Sequence, residues 1–269
     1  MRILSLLSAA SLLLAVFACS GGAASGSKAT ITADGSTALQ PLVSAAAQDY
    51  MAKYPNVDIA VKGGGSAVGL TDAMNHAVDI GDSDVAGTDT DLVDHEVAIV
   101  AFTVVHGPNV GVESLTKAQI AGIFGGTIKN WKQVGGADQA VLLVNRPLGS
   151  GTRRVFTTYI MSGKDPAQIG ATIDSSEDVA RQVKNRPGAI SYVGLSYAQK
   201  FNVPTIAIDG VAPTIANMRD GKYGFWSYEH MYTSKESAPQ AEAFINYVRS
   251  DDGAIDQLGF IPIEDFAKR

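Results

Sequence analysis

Three short stretches place glycine beside hydroxyl residues where an apolar run gives way to a helical pattern. They are "DGSTALQP" with Gly35, Ser36 and Thr37, "GGGSAVG" with Gly65 and Ser66, and "RPLGSGTRRVF" with Ser150, Gly151 and Thr152. Amides in the first turn of a helix lack an intrahelical acceptor and lie at the positive end of its dipole, so each turn suits an anion. Glycine lets a ligand approach the backbone, and Ser and Thr hydroxyls add donors. Arg146, four residues before Ser150, can fold over the third turn and grip two oxygens. One such turn is ordinarily a helix cap. Three in one chain can converge on a single oxyanion, with no charged side chain needed at the first two.

A fourth stretch, "VDIGDSDVAG", holds Asp79, Asp82 and Asp84. It lacks the glycine and distal glutamate of a calcium loop, so no metal is expected. An ionised carboxylate only accepts hydrogen bonds. Facing an anion site, it repels a fully deprotonated oxyanion and favours one that keeps a proton, which separates phosphate from sulfate. Arg153 and Arg154 read as exposed helix residues, although Arg153 can reach the same anion or pair with Asp82 or Asp84. Catalysis by Ser150 would need a base within hydrogen-bond reach. His76, His95, His106 and His230 show no triad spacing, and "GSGT" is not the G-x-S-x-G elbow. No catalytic residue and no cofactor are therefore assigned.

Such turns act together only if a folded frame holds them. With 269 residues, 46% hydrophobic and 18% charged, the chain can bury a sizeable core and divide into two lobes. Its net charge of -6 argues against a nucleic-acid partner, which calls for a basic surface. After Lys28, β-branched runs alternate with amphipathic stretches, as in an α/β fold. "ATITADGS", "NVDIAV", "VDIGDSDV", "HEVAIVAFTVVHG", "AVLLVN" and "GAISYVG" read as strands. Thr37–Tyr54, "SAVGLTDAMNH", "SLTKAQIAGIFGG", "GTRRVFTTYIM", "SSEDVARQVKN" and "APQAEAFINYVRS" read as helices. Val155, Phe156, Tyr159 and Ile160 form the expected buried stripe of the fourth of these.

Residues 1–18 carry Arg2 before an uncharged run, as an export signal does, and residues 19–28 form a Gly/Ser/Ala linker. Cys19 is the only cysteine, which excludes an intrachain disulfide and a thiolate cluster. The segment "AVFAC" resembles a bacterial lipobox. That resemblance implies cleavage before Cys19 and diacylation of its thiol, because stable anchoring takes two signals.

Taken in order, these motifs resemble the phosphate-binding proteins of bacterial ABC-type phosphate importers, in the compact lipoprotein form of Gram-positive organisms. The similarity runs to the C-terminal "FINYVRSDDGAIDQLGFIPI". It implies a two-lobed periplasmic-binding-protein (type II) fold, each lobe an α/β sheet flanked by helices, with the ligand in the cleft. Residues 29–105 and 224–269 would form one lobe and 106–223 the other, crossing near Thr103–Pro108 and Lys222–Tyr228. The implied phosphate ligands are Thr37, Ala38, Ser66 and Asp84 on one side, and Arg146, Ser150, Gly151 and Thr152 on the other. Asp84 would accept the ligand's proton. Asp82 departs from the family, where a small uncharged residue is common, and Gly224 stands where proline is common. The implied partners are inorganic phosphate, an ABC permease and ATPase complex, and the cell membrane through a lipid anchor on its extracytoplasmic face; a monomer is expected. A receptor for sulfate, molybdate or a phosphonate, or a phosphate-sensing lipoprotein, would share the fold. Tyr50, Phe102, Trp131, Tyr192 and Trp226 are expected to pack rather than bind.

Overall fold

The computed structural model describes residues 28–266. Its first half runs β1 (Ala29–Gly35), α1 (Gln40–Lys53), β2 (Val57–Val61), α2 (Ser66–Met74), β3 (Ile80–Ser83), β4 (Leu92–His106), β5 (Ser114–Leu115) and α3 (Lys117–Phe124). There follow β6 (Leu142–Asn145), α4 (Gly151–Tyr159), β7 (Ala171–Thr172), α5 (Ser176–Lys184), β8 (Ala189–Gly194), α6 (Leu195–Lys200), β9 (Thr205–Ile208) and α7 (Ile215–Arg219). The chain returns through β10 (Trp226–Ser234), α8 (Pro239–Ser250), α9 (Asp252–Gln257), β11 (Phe260–Ile261) and α10 (Ile263–Phe266).

The strands lie in the order β2-β1-β3-β10-β4-β8-β6-β7, with β9 and β11 also paired to β4. A sheet in each lobe is expected, and the strands around β10 and those around β8 join through β4 into one hydrogen-bonded network. The reason is the length of β4, 15 residues, or about 50 Å of extended chain. Its first part pairs antiparallel with β10 as far as Ala101, and from Phe102 onward it pairs with β8 and β9. Val97–Val105 are all buried, the continuous pattern of a strand covered on both faces. Beside this change of partners, the Phe102 amide donates to the Phe225 carbonyl (2.9 Å) and the Tyr223 hydroxyl to the Phe102 carbonyl (2.9 Å). Gly224, in the same return segment, sits where a Cβ would come within 2.9 Å of the Tyr159 ring.

Local chemistry explains the element starts that matter for the site. The first helix begins at Gln40, three residues later than its periodicity predicts, because Ser36 turns back and accepts the amides of Ala38 and Leu39 (3.0 Å each). Ser150 caps α4 by accepting the Arg153 amide at 3.2 Å. Behind α4, Phe156 stacks on Tyr192 with ring centroids 4.0 Å apart, and Phe124 meets Phe156 at 4.6 Å. Of the expected stripe, Phe156 and Ile160 are buried, while Val155 and Tyr159 pack against the core in part. Tyr50, Phe102, Trp131 and Tyr192 are buried; Trp226 is partly buried against the ring of Phe266.

The second helix lies directly on strand backbone. A Cβ at Gly69 would fall 2.6 Å from the Asp82 carbonyl oxygen and 2.8 Å from that of Asp34, and Gly81 faces the Gly69 carbonyl from the other side. This contact fixes Ser66, at the start of the helix, against the end of β3. Gly69→Ala should therefore lift α2 from β3 and cost about 1–3 kcal/mol, as overpacking does. The expected result is a lower urea midpoint with an unchanged denaturant slope.

Candidate anion-binding site

All eight side chains and backbones expected at the site are buried, and the structure brings them together. Asp84 is 1% exposed and Arg146 1%. The Asp84 Oδ2 accepts the Thr152 hydroxyl at 2.7 Å, its Oδ1 accepts the hydroxyl of Ser36, and its amide donates to Ser66 Oγ at 2.9 Å. Gly151 lies against the same pair: a Cβ there would be 2.8 Å from that of Asp84 and 3.0 Å from that of Ser66. The Ala67 amide donates to the Gly149 carbonyl at 3.1 Å. The "GGGS", "DSD" and "LGSGT" motifs thus meet in one place.

The guanidinium of Arg146 reaches the "GST" turn. Its Nη2 donates to Thr37 Oγ1 at 3.0 Å and to the Asp174 carbonyl, and its Nη1 donates to Ser176 Oγ at 3.1 Å. Its Nε meets no acceptor. The Ser176 amide donates to Thr37 Oγ1 at 3.2 Å, so the start of α5 joins those of α2 and α4 at the site. Ser176 is absent from the residues that the sequence motifs single out, while Ser36 is placed by its motif in the turn but not in the ligand set. The signal for Ser176 is present in "DSSED", a serine pair that opens a helix; Ser175 caps that helix, which leaves Ser176 free to face the site. Two of the expected ligands hold the turns together instead of standing free: the Ala38 amide bonds Ser36, and the Ser150 hydroxyl caps its own helix.

The other charged residues are sorted by the fold. Asp79 accepts the amide and hydroxyl of Thr32 (2.8 and 2.7 Å) and so ties β3 to β1. Arg153 was expected on the surface, or reaching the same anion, or paired with Asp82 or Asp84. It is buried instead, donating to the Arg146 carbonyl at 2.8 Å and to Asp165 at 2.9 Å. Its side chain therefore supports the arginine turn from behind; Arg154 is exposed. Cys19 lies outside the described residues.

Burial raises Asp84 above the usual carboxylate range, while the hydroxyls of Ser36 and Thr152 and the charge of Arg146 pull it back. Burial lowers Arg146, and Asp84 opposes that. Asp82 is different: it is 0% exposed, neither of its oxygens meets a donor, and burial together with Asp34 and Asp84 pushes it well above the carboxylate range. Among the described residues, no group of three or more His, Cys, Asp or Glu side chains is arranged to hold a metal ion.

Comparison with known proteins identifies the family. The PBP superfamily domain matches residues 21–252. The phosphate-binding protein PstS of Bacillus subtilis is 42% identical over 245 residues, covering 88% of this chain and 81% of that protein. The chain belongs to the PstS family of phosphate-binding proteins. A substrate-binding protein from Clostridium perfringens, solved with bound phosphate, superposes with a TM-score of 0.81 at 27% identity over 87% of this chain and 99% of that one. An ABC-type phosphate transport receptor from Vibrio cholerae superposes with a TM-score of 0.69 at 27% identity over 86% and 99%. The α/β architecture is thus that of the PstS family's periplasmic-binding-protein fold.

Within this PstS-family site, the position of Asp82 makes a thermodynamic prediction. An acid whose pKa is raised by folding contributes stability that is fully present below its unfolded value, 3.8 here, and is lost as pH rises toward the folded value. Asp82→Asn keeps the shape and removes the titration. Its melting temperature should match the wild type near pH 4 and exceed it increasingly up to pH 8. A gap that stays flat with pH would exclude this cause.

Proposed function

We propose that this protein is an extracytoplasmic receptor that captures inorganic phosphate and delivers it to an ABC importer. The observation that carries the reading is a buried carboxylate, Asp84, held by two hydroxyls beside the buried guanidinium of Arg146. Arg146 and the first-turn amides of α4 supply positive potential, while Asp84 supplies an acceptor for a ligand proton. The proposed ligand set is Thr37, Ala38, Ser66, Asp84, Arg146, Ser150, Gly151 and Thr152. Ala38 and Ser150 act in it through the helix starts that they order. The names of the relatives, phosphate-binding proteins and a phosphate transport receptor, support the choice of anion and of partner.

In this reading residues 29–105 and 224–269 form one lobe and 106–223 the other. The bonds from Arg146 to Thr37, from Thr152 to Asp84 and from Ala67 to Gly149 hold the lobes shut. Entry of the anion then requires a hinge opening, with β4 and the segment through Gly224 as the two connections. Diacylated Cys19 would hold the receptor on the outer face of the cell membrane. No described helix is long and apolar enough to cross one.

Calorimetric titration of the full-length protein, purified in detergent and freed of phosphate, tests the ligand. One-to-one phosphate binding without response to sulfate is expected. Arg146→Ala should weaken phosphate binding by about 30-fold or more, since truncating one partner of a buried charge pair costs about 2–5 kcal/mol. Asp84→Asn should lower the preference for phosphate over sulfate more than it lowers the melting temperature. Equal affinity for both anions in the wild type, or unchanged binding in both variants, overturns the assignment. Mass spectrometry of the N-terminal peptide should find Cys19 diacylated; an unmodified Cys19 thiol would exclude the lipid anchor.

A further inference from the structure

We propose that Glu229 is a further positioning residue of this site, a protonated carboxyl that donates a hydrogen bond to Asp84 and keeps Asp84 as the acceptor that reads the ligand's proton. The inference rests on the anion-site reading above. Strand β10 runs antiparallel to β3, with Met231 opposite Asp82 and His230 opposite Ser83, and the Ser227 hydroxyl donates to the Asp84 carbonyl at 2.7 Å. Glu229 therefore faces the end of β3 at the depth of the site. It is 0% exposed.

As two carboxylates, Glu229 and Asp84 would have no donor between them, and neither Glu229 oxygen meets another donor. The β10–β3 register that sets His230 opposite Ser83 sets Glu229 opposite Asp84, so that with one proton the facing pair can form a hydrogen bond. The surroundings decide which acid holds that proton. Asp84 has Ser36, Thr152 and Arg146 to stabilise its charge. Glu229 has burial and the neighbouring acids Asp84 and Asp82, all of which favour its neutral form.

The other ionisable groups on the adjoining elements do not alter this balance. On the β1 and α2 side, Asp34 acts on Asp82 and itself faces the acid Asp72, with Lys62 nearby. Along β4, Glu229 is opposite Ala98 and His230 is opposite Glu96, with a register shift between them. His230 is engaged by Asp94 at 2.8 Å, and Glu242 of α8 reaches Thr233 and His95. None of these gives Glu229 a cation.

A consequence follows for recognition. An ionised carboxylate offers about four lone-pair sites. Ser36 and Thr152 occupy one on each oxygen of Asp84, Glu229 takes a third, and one remains for a proton carried by the ligand. If Glu229 ionised, the site would gain a negative charge facing an incoming anion.

The test is phosphate titration of the full-length protein from pH 6 to pH 9.5 in wild type, Glu229→Gln and Glu229→Leu, with infrared spectra of each. Glu229→Leu should weaken phosphate binding about tenfold or more at pH 7, the loss of one buried charge-assisted hydrogen bond. Glu229→Gln restores a neutral donor, so it should recover most of that loss and decline less than the wild type at alkaline pH. The carboxylic-acid carbonyl band of the wild type should lose a component in Glu229→Gln that Asp82→Asn retains. Parallel pH profiles for wild type and Glu229→Gln, or an infrared band unchanged by Glu229→Gln, would overturn the proposal. If Glu229→Leu does not fold, the glutamine profile and the spectrum decide alone. If the wild type binds no phosphate, the receptor reading fails, and the infrared comparison still decides where the proton resides.

Discussion

An anion removed from water must find its hydration replaced by fixed donors, and a carboxylate buried beside it must be held by donors of its own or it will neutralise. Asp84 meets that condition. Two hydroxyls from two different parts of the chain, Ser36 and Thr152, close on its two oxygens, with Arg146 beside them. Ser36 also sets the turn before α1, and Thr152 belongs to the first turn of α4. The bonds that favour the charged form of the acid are thus the bonds that align the helix starts around it. Neither could be changed without disturbing the other.

The fold carries this arrangement by close backbone contact rather than by long side chains. Gly69 and Gly81 let α2 rest on β3, which seats Ser66 under the Asp84 amide, and Gly151 brings α4 within contact of both. The aromatic stack of Phe124, Phe156 and Tyr192 supports α4 from below. Arg153 braces the turn that presents Arg146. Long strands β4 and β10 join these pieces, so the site sits beside the structural connections that would have to bend on opening.

Much of this was legible in the sequence because it depends on local chemistry. One glycine-hydroxyl turn before a helix is ordinarily a cap, but the repetition of that pattern at Gly35, Gly65 and Gly149 points to convergence on one anion. The helix starts at Ser66 and Gly151 fell where those turns placed them. What was not legible depends on pairing across the chain. Arg153 looked like a surface residue because nothing in "GTRRVF" announces Asp165. Ser176 looked like an ordinary first-turn residue because its partner Thr37 is 139 positions away. Glu229 lies in "WSYEHMYT", an alternating strand pattern in which a glutamate reads as solvent-facing; only the neighbouring strand β3 gives it a reason to be inside.

That buried acids cluster in an anion receptor is the least expected feature, and it has a physical rationale. A site built only from arginine and amides would hold any tetrahedral oxyanion, with the most highly charged held best. Adding an acceptor reverses the preference for any ligand without a proton, because an ionised acceptor facing a bare oxyanion leaves two negative groups unshielded. The acceptor must stay ionised and unsatisfied at one lone pair, while burial acts to protonate it. A neutral carboxyl next to it solves this conflict: it supplies a donor without adding positive charge that would favour every anion equally. Asp82, lacking any donor, adds an acid that must also stay neutral, and it ties the stability of the fold to pH in the same region of the structure that recognises the ligand. In the proposed reading, discrimination by proton content is a property of the group of acids and their hydroxyl partners, with Asp84 as its contact point.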